Sequence, residues 1–179
     1  MQGTALLIYK KAVERRKVKM DCSWIEPDVL AAGSVPVEAN DIRSLHAEKI
    51  RAILSLTERP ITAFHEITPD LLASFDITYL HVPVPDQFPP NMDQARKILA
   101  FLDRMTAQGR PVFVHCQAGV GRTGTVLHLY FMARGLTFDE ADARVRSKRV
   151  QCILLTDLQM EFLKEFAYLM KASQVKRDT

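Results

Sequence analysis

Two spacings of apolar positions alternate along this chain. Short apolar runs of strand length recur at Ser23-Trp24-Ile25, Val29-Leu30-Ala31, Ala52-Ile53-Leu54-Ser55-Leu56, Thr78-Tyr79-Leu80-His81-Val82 and Val112-Phe113-Val114. Between them the apolar residues fall three and four apart, the spacing of a helix with one buried face. Asp41 opens such a segment, which runs to about Lys49, and Pro69-Asp70-Leu71-Leu72-Ala73 suggests a short second helix. Asn91 is placed to cap a third, where Met92, Ala95, Ile98, Leu99 and Leu102 share a face as far as about Gln108, and Gly109 ends it. Further on, helices are expected from Gly124 to Arg134, from Phe138 to about Arg149 after a turn at Gly135, and beyond a cap at Thr156. The last of these puts Leu158, Phe162, Phe166 and Leu169 on one face. Strands alternating with helices predict an α/β fold, a central, mostly parallel sheet flanked by helices on both faces. No repeat, low-complexity tract or linker interrupts the pattern. One domain over 21–172 is expected, with an arm or helix over 1–20 and a tail over 173–179.

Composition narrows the class without naming a function. A chain of 179 residues suits a single domain with a sizeable core, and 47% hydrophobic with 25% charged residues is ordinary for a soluble globular protein. Its three cysteines, Cys22, Cys116 and Cys152, are odd in number and scattered, which argues against a disulfide framework. No Cys or His pair has zinc spacing, so neither a metal nor a cofactor is expected. No run reaches the roughly eighteen apolar residues of a membrane span. The short apolar run after Met1 is followed, not preceded, by its charges, the wrong order for a secretory signal. The cytoplasm, or the nucleus in a eukaryote, is the expected compartment.

Net charge is only +3, but the cations cluster. Lys10, Lys11, Arg15, Arg16, Lys17 and Lys19 form one group, and Arg144, Arg146, Lys148 and Arg149 another. Such groups contact nucleic acid or acidic lipid in some proteins, and more often they are a solvated face. The second group lies beyond the one stretch that carries clear chemistry.

That stretch is His115-Cys116-Gln117-Ala118-Gly119-Val120-Gly121-Arg122-Thr123-Gly124, which joins the last predicted strand to a helix. Strand, tight loop and helix N-terminus make a concavity into which backbone N–H groups and the positive end of the helix dipole point. Such a cavity holds an oxyanion, and it also holds a thiol as thiolate. The glycines let the loop curl without a Cβ in the way. Arg122 adds a fork of donors matched to two phosphoryl oxygens, and Thr123 places a hydroxyl for the sulfur. Sulfur attacking phosphorus in line would form a phosphocysteine and divide one hard hydrolysis into two easier steps. Taken alone, a lone cysteine is usually a small hydrophobe and a Gly-rich turn is common. Their conjunction with an arginine beyond five intervening residues, in this strand-to-helix setting, is much rarer.

The loop resembles the Cys-five-residues-Arg signature of the protein tyrosine phosphatase superfamily, and the small chain resembles its atypical dual-specificity branch. Gly33-Ser34-Val35-Pro36, the strand ending in Thr57-Glu58, and Val84-Pro85-Asp86-Gln87-Phe88-Pro89-Pro90 have counterparts there too. The likeness covers about Trp24 to Leu169 and implies the cysteine-phosphatase fold. It implies Cys116 as nucleophile, Arg122 as phosphate clamp, Thr123 as partner of the sulfur, and Gln117, Ala118, Gly119, Val120 and Gly121 as the phosphate cradle. It also implies that Asp86 is the general acid and later the general base, the proton carrier that a phosphate monoester needs. From the residues alone Asp86 equally starts a turn or caps the next helix.

Four accessory residues stay open. His115 precedes the nucleophile as in the family, which implies a loop-bracing part. Glu58 either braces Arg122 or only makes a surface turn. Gln159 stands where some relatives carry a glutamine that positions the hydrolytic water, and is as readily a solvated helix position. Cys152 is either a disulfide partner for Cys116 or a buried structural thiol.

The family's phosphoinositide-directed members tend to carry lysines where this loop has Gln117 and Val120, and its RNA triphosphatases have a histidine and an asparagine that are missing here. The resemblance therefore implies a phosphorylated protein substrate: phosphotyrosine, with phosphoserine and phosphothreonine beside it. The same chemistry on an RNA 5′-phosphate or a phosphoinositide, or a phosphate-binding module with little turnover, is the alternative.

Overall fold

A computed structural model describes residues 20–154 and 156–175 of the chain, the last five by backbone alone. The expected arm and its basic cluster lie outside the described residues. Strands β1 (Cys22–Glu26), β2 (Leu30–Gly33), β3 (Ala52–Ser55), β4 (Thr78–His81) and β5 (Val112–His115) form one sheet in the order β1-β2-β5-β3-β4. β1 runs antiparallel to β2, while β2–β5, β5–β3 and β3–β4 are parallel. The helices are α1 (Ala39–Ala47), α2 (Pro69–Ser74), α3 (Met92–Ala107), α4 (Gly121–Ala133), α5 (Phe138–Lys148) and α6 (Asp157–Val175).

The two-residue strand period decides what each face of the sheet buries. Val112 and Val114 of β5 join Leu54 of β3 and Ala32 of β2 in the larger core, with side chains from α3, α4, α5 and α6. Phe113 and Ile53, one position along, point to the other face and meet Ile42, Leu45 and Leu72 of α1 and α2. A sheet covered on both faces needs apolar side chains at every strand position, hence the uninterrupted apolar runs. The predicted α/β class is the observed one.

Several element boundaries shift for local reasons. Asp41 does not open α1. Glu38 occupies the cap, and Asp41, three residues on, accepts from the N–H groups of Val37 and Glu38. Asn91 caps α3 as its sequence suggests, in a reciprocal pair with Gln94. α4 begins at Gly121 and not at Gly124, so Arg122 and Thr123 lie in its first turn. Gly124 is inside the helix because the chain passes close by: a Cβ there would stand 3.3 Å from the Cys152 carbonyl carbon. Every residue of α4 from Gly121 to Met132 is buried, and a helix apolar all round is a core helix. On α6 the buried stripe is Gln159, Phe162, Leu163 and Phe166, whereas Leu158 and Leu169 are 47% and 39% exposed. The predicted face was rotated by about one residue.

The parallel strands end level. Gly33 and Ser55 both pair with His115, and Ser55 also pairs with His81. The segments leaving β2, β3, β4 and β5 therefore open at one edge of the sheet, the place where parallel α/β sheets present ligand sites. Among the described residues no helix is long and apolar enough to cross a membrane.

Gly33 sits at that edge, and a Cβ on it would meet the Asp21 carbonyl oxygen at 1.9 Å and the Phe113 ring at 2.8 Å. Gly33→Ala is expected to cost at least the about 1–3 kcal/mol of an overpacked core, lowering Tm by about 2–4 °C per kcal/mol in a chain of this size. Thermal denaturation measures it, and an unchanged midpoint would mean that β1 slides away freely.

Candidate active site

Cys116 leaves the end of β5 and is 3% exposed at the base of the loop that leads into α4. Gln117 and Ala118 are exposed on the rim, while Gly119 tucks in beneath it. The loop is stitched to its neighbours through backbone: the Val35 N–H donates to the Gln117 carbonyl at 3.1 Å, and the Leu56 N–H donates to the His115 carbonyl at 2.9 Å. Gly119 takes φ +68°, the left-handed region that a Cβ disfavours, and its Cβ would lie 2.3 Å from the Gly33 carbonyl oxygen. The curl predicted for the glycines is therefore needed here on two counts.

The thiol of Cys116 is held below its ordinary range. Burial acts to raise its pKa, but the Thr123 hydroxyl, the N–H groups of Thr123 and Val120, and the Arg122 charge together outweigh burial. The fully buried Thr123 hydroxyl has no nitrogen or oxygen partner, which leaves it to the sulfur. His115 is fully buried, stacks on Phe113 and sits 3.1 Å through Nδ1 from the Cys116 carbonyl oxygen. Desolvation takes its pKa down to about 4, so at neutral pH it is an uncharged brace.

Arg122, in the first turn of α4 and 4% exposed, reaches across to the segments that follow β3 and β4. Its Nη1 donates to Glu58 Oε2 at 2.9 Å and to the Val84 carbonyl at 2.8 Å. Its Nη2 lies 3.1 Å from Asp86 Oδ1. Glu58 does two things, since its other oxygen accepts from the Asp86 N–H at 3.0 Å. The Arg122 hydrogen bond is also what lowers the Glu58 pKa most. The turn that presents Glu58 is stiff: the Ser55 and Thr57 hydroxyls are 3.0 Å apart, Thr57 donates to the Arg59 carbonyl, and His81 Nε2 lies 2.7 Å from the Thr57 carbonyl. Of the two sequence readings of Glu58, the brace is the one seen.

Asp86 caps no helix, because Asn91 does that. It is the second residue of a turn closed by the Phe88 N–H on the Pro85 carbonyl, with Gln87 following at φ +66°, the hallmark of a type II turn. Thr156, which caps α6 by accepting from the Gln159 N–H, also donates to the Gln87 carbonyl at 2.9 Å. The Asp86 turn is thus clamped from Glu58 on one side and Thr156 on the other. Nothing in the sequence marked that second tie.

The remaining expectations divide. Cys152 is a free, buried thiol whose S–H donates to the Gly119 carbonyl at 3.3 Å, and burial pushes its pKa up to about 12. Buried and hydrogen-bonded to the loop backbone, it sits here as a structural thiol. Gln159 is fully buried, so the solvated reading fails. The second basic cluster is not one surface. Arg149 is buried against Gly119 and Asp21, while Arg144 pairs with Glu26 and Arg146 with Asp142, each at 3.8 Å. A run of basic letters at a helix end carries no sign of which one turns inward.

Comparison with known proteins identifies the family. The family model described as "PTP-SAK: Swiss Army Knife protein, DSP-PTPase phosphatase domain" matches residues 19–169. Phosphatidylglycerophosphate phosphatase PTPMT1 of Arabidopsis thaliana is 26% identical over 168 residues, which take in 91% of this chain and 48% of that protein. Dual specificity protein phosphatase Mpk3 of Drosophila melanogaster is 35% identical over 89 residues, 46% of this chain and 22% of that one. The chain spans half or less of these relatives. Among solved structures, Tk-PTP in its active form superposes with a TM-score of 0.72 at 29% identity, covering 82% of this chain and 96% of that one. PTPMT1 superposes at 0.76 and 24% identity over 87% and 99%, a likeness of fold alone. With the family model spanning all five strands and the loop between β5 and α4, this chain belongs to the small atypical dual-specificity branch of the protein tyrosine phosphatase superfamily.

Proposed function

We propose that this chain is a cysteine-dependent phosphatase that hydrolyses phosphotyrosine, together with phosphoserine and phosphothreonine, on protein through a phosphocysteine at Cys116. The observation that carries the reading is the meeting of three groups from two segments: a buried, acidified Cys116 thiol, the Arg122 guanidinium from the same loop, and Asp86 3.1 Å from that guanidinium.

The phosphoryl group sits on the N–H groups of the loop from Gln117 to Arg122 and on the Arg122 fork. Its negative charge competes with Asp86 for the guanidinium and frees the carboxyl to face the leaving oxygen. Cys116 Sγ attacks phosphorus, the P–O bond breaks, and Asp86 gives its proton to the departing oxygen. Asp86 then takes a proton from a water that attacks phosphorus. The P–S bond breaks, phosphate leaves, and the Thr123 hydroxyl donates to the returning thiolate. Glu58 keeps Nη1 of Arg122 occupied, so the rest of the fork stays turned to substrate.

Loop positions Gln117, Ala118, Gly119, Val120 and Gly121 carry no cation, a site for one phosphoryl group rather than several. From the Asp86 turn a groove of about 460 Å³ runs between Phe88, Pro90 and Met92 on one side and Leu158 and Phe162 on the other, with Glu161 and Glu165 beside it. Apolar walls with carboxylates suit a peptide flank better than a second phosphate. A second reading rests on the Arabidopsis relatives named as phosphatidylglycerophosphate phosphatases: a lipid monoester also presents a single terminal phosphoryl group.

Cys116→Ser is expected to lose essentially all turnover of an aryl phosphate while still binding inorganic phosphate. Near-normal turnover would remove Cys116 as the nucleophile, whereas negligible turnover by the unaltered chain would leave only a binding module. Asp86→Ala should slow phosphotyrosine hydrolysis by about 10²–10⁴-fold, the range of positioned proton transfer. On pH, turnover rises as Cys116 ionises, at a pH below the ordinary thiol value of 9.0, and a general acid adds an alkaline limb. The profile should be bell-shaped, with the alkaline limb lost in Asp86→Asn. Relative kcat/KM across phosphopeptides, phosphoinositides, phosphatidylglycerophosphate and 5′-triphosphorylated RNA decides the substrate class, and a strong preference for the lipid would reverse the protein reading.

A further inference from the structure

Arg149 is the largest fully buried side chain among the described residues, and no step of the proposed reaction uses it. It lies just past the end of α5, and its guanidinium makes three different contacts. Nε–H donates to the Gly119 carbonyl at 3.1 Å, Nη1 donates to Ser23 Oγ at 3.1 Å, and Nη2 forms an ion pair with Asp21 at 2.5 Å. Asp21 is tied in turn to the segment after β2, for its Oδ1 accepts from the Ser34 N–H at 2.7 Å and its own N–H donates to Ser34 Oγ. The Gly119 carbonyl receives a second donor, the Cys152 S–H.

Peptide geometry turns this anchorage into a statement about the cavity. The Gly119 carbonyl and the Val120 N–H belong to one planar trans unit, so they point in opposite directions. Drawing the carbonyl back toward Arg149 and Cys152 therefore aims the Val120 N–H forward, and that N–H is among the donors that hold the Cys116 sulfur ionised. Left-handed backbone at Gly119 is only one of the conformations open to a glycine, so the loop needs an outside partner to choose it.

We propose that Arg149 is a positioning residue for the phosphate loop: by holding the Gly119 carbonyl outward it keeps the Val120 amide turned onto Cys116 Sγ and onto the oxyanion that binds there. A purely structural tie from the end of α5 to β1 and the residue before it would need only the contacts to Ser23 and Asp21. The bond to Gly119 is what links this arginine to the chemistry.

The test has to separate loop geometry from general stability, because removing one partner of a buried ion pair leaves a bare charge. Arg149→Met combined with Asp21→Asn removes both charges, and Arg149→Lys keeps a cation for Asp21 without the guanidinium fork. Two readouts that do not depend on turnover are measured: the pH dependence of iodoacetamide alkylation at Cys116, and the affinity for inorganic phosphate. The double variant is expected to melt close to the unaltered protein, to alkylate with a midpoint about one pH unit higher, and to bind phosphate about tenfold more weakly, the size of one lost hydrogen bond to a charged group. Arg149→Lys should move both readouts in the same direction. A double variant that folds and keeps the original alkylation profile and phosphate affinity overturns the proposal. If the double variant does not fold, Arg149→Lys decides on the same two readouts.

Discussion

Ionising a sulfur that is 3% exposed takes a charge out of water, and burial by itself would push its pKa up. The catalytic edge is the set of donors that offsets this: the Thr123 hydroxyl, the amides of Thr123 and Val120, and the Arg122 charge. Each depends on a different part of the fold. Thr123 and Arg122 hold their places because α4 starts at Gly121, and α4 is fixed because nearly all of it is core. The loop amides face inward because the outward carbonyls have partners, Val35 N–H for Gln117, and Arg149 with Cys152 for Gly119.

Arg122 is the second junction. One nitrogen is spent on Glu58 and the Val84 carbonyl, which ties the loop to the segments after β3 and β4, and the other meets Asp86. An arginine does this where a lysine would not, because its donors lie in a rigid plane and serve several acceptors at once. The same guanidinium pairs with the carboxylate proposed as proton donor.

Much of this was legible from residue types. The strand-length runs and helical spacings identified the five strands and the six α-helices of the described residues, because burial on both faces of a sheet imposes runs that no other environment requires. The Cys116 to Gly124 stretch announced an oxyanion cradle because few residue combinations curl a loop and supply a thiol and a guanidinium together. Errors came where local letters have several uses. Gly124 looked like the start of a helix and is a contact point inside it. Leu158 looked like core and is exposed. Arg149 looked like one more surface cation, although it is the most deeply placed of them.

The chain by itself determined which groups are available: a thiol and a guanidinium in one loop, a carboxylate thirty positions before the thiol, and the strand-to-helix setting of the loop. These follow from short-range backbone rules and side-chain chemistry, which act within a few residues of one another. The tertiary structure decided which of the distant groups meet. The level ends of β2, β3, β4 and β5 bring Glu58 and Asp86 to Arg122, and the return of the chain after α5 puts Arg149 and Cys152 behind Gly119. Those contacts span tens of residues and depend on sheet register and helix packing, quantities that no local pattern encodes.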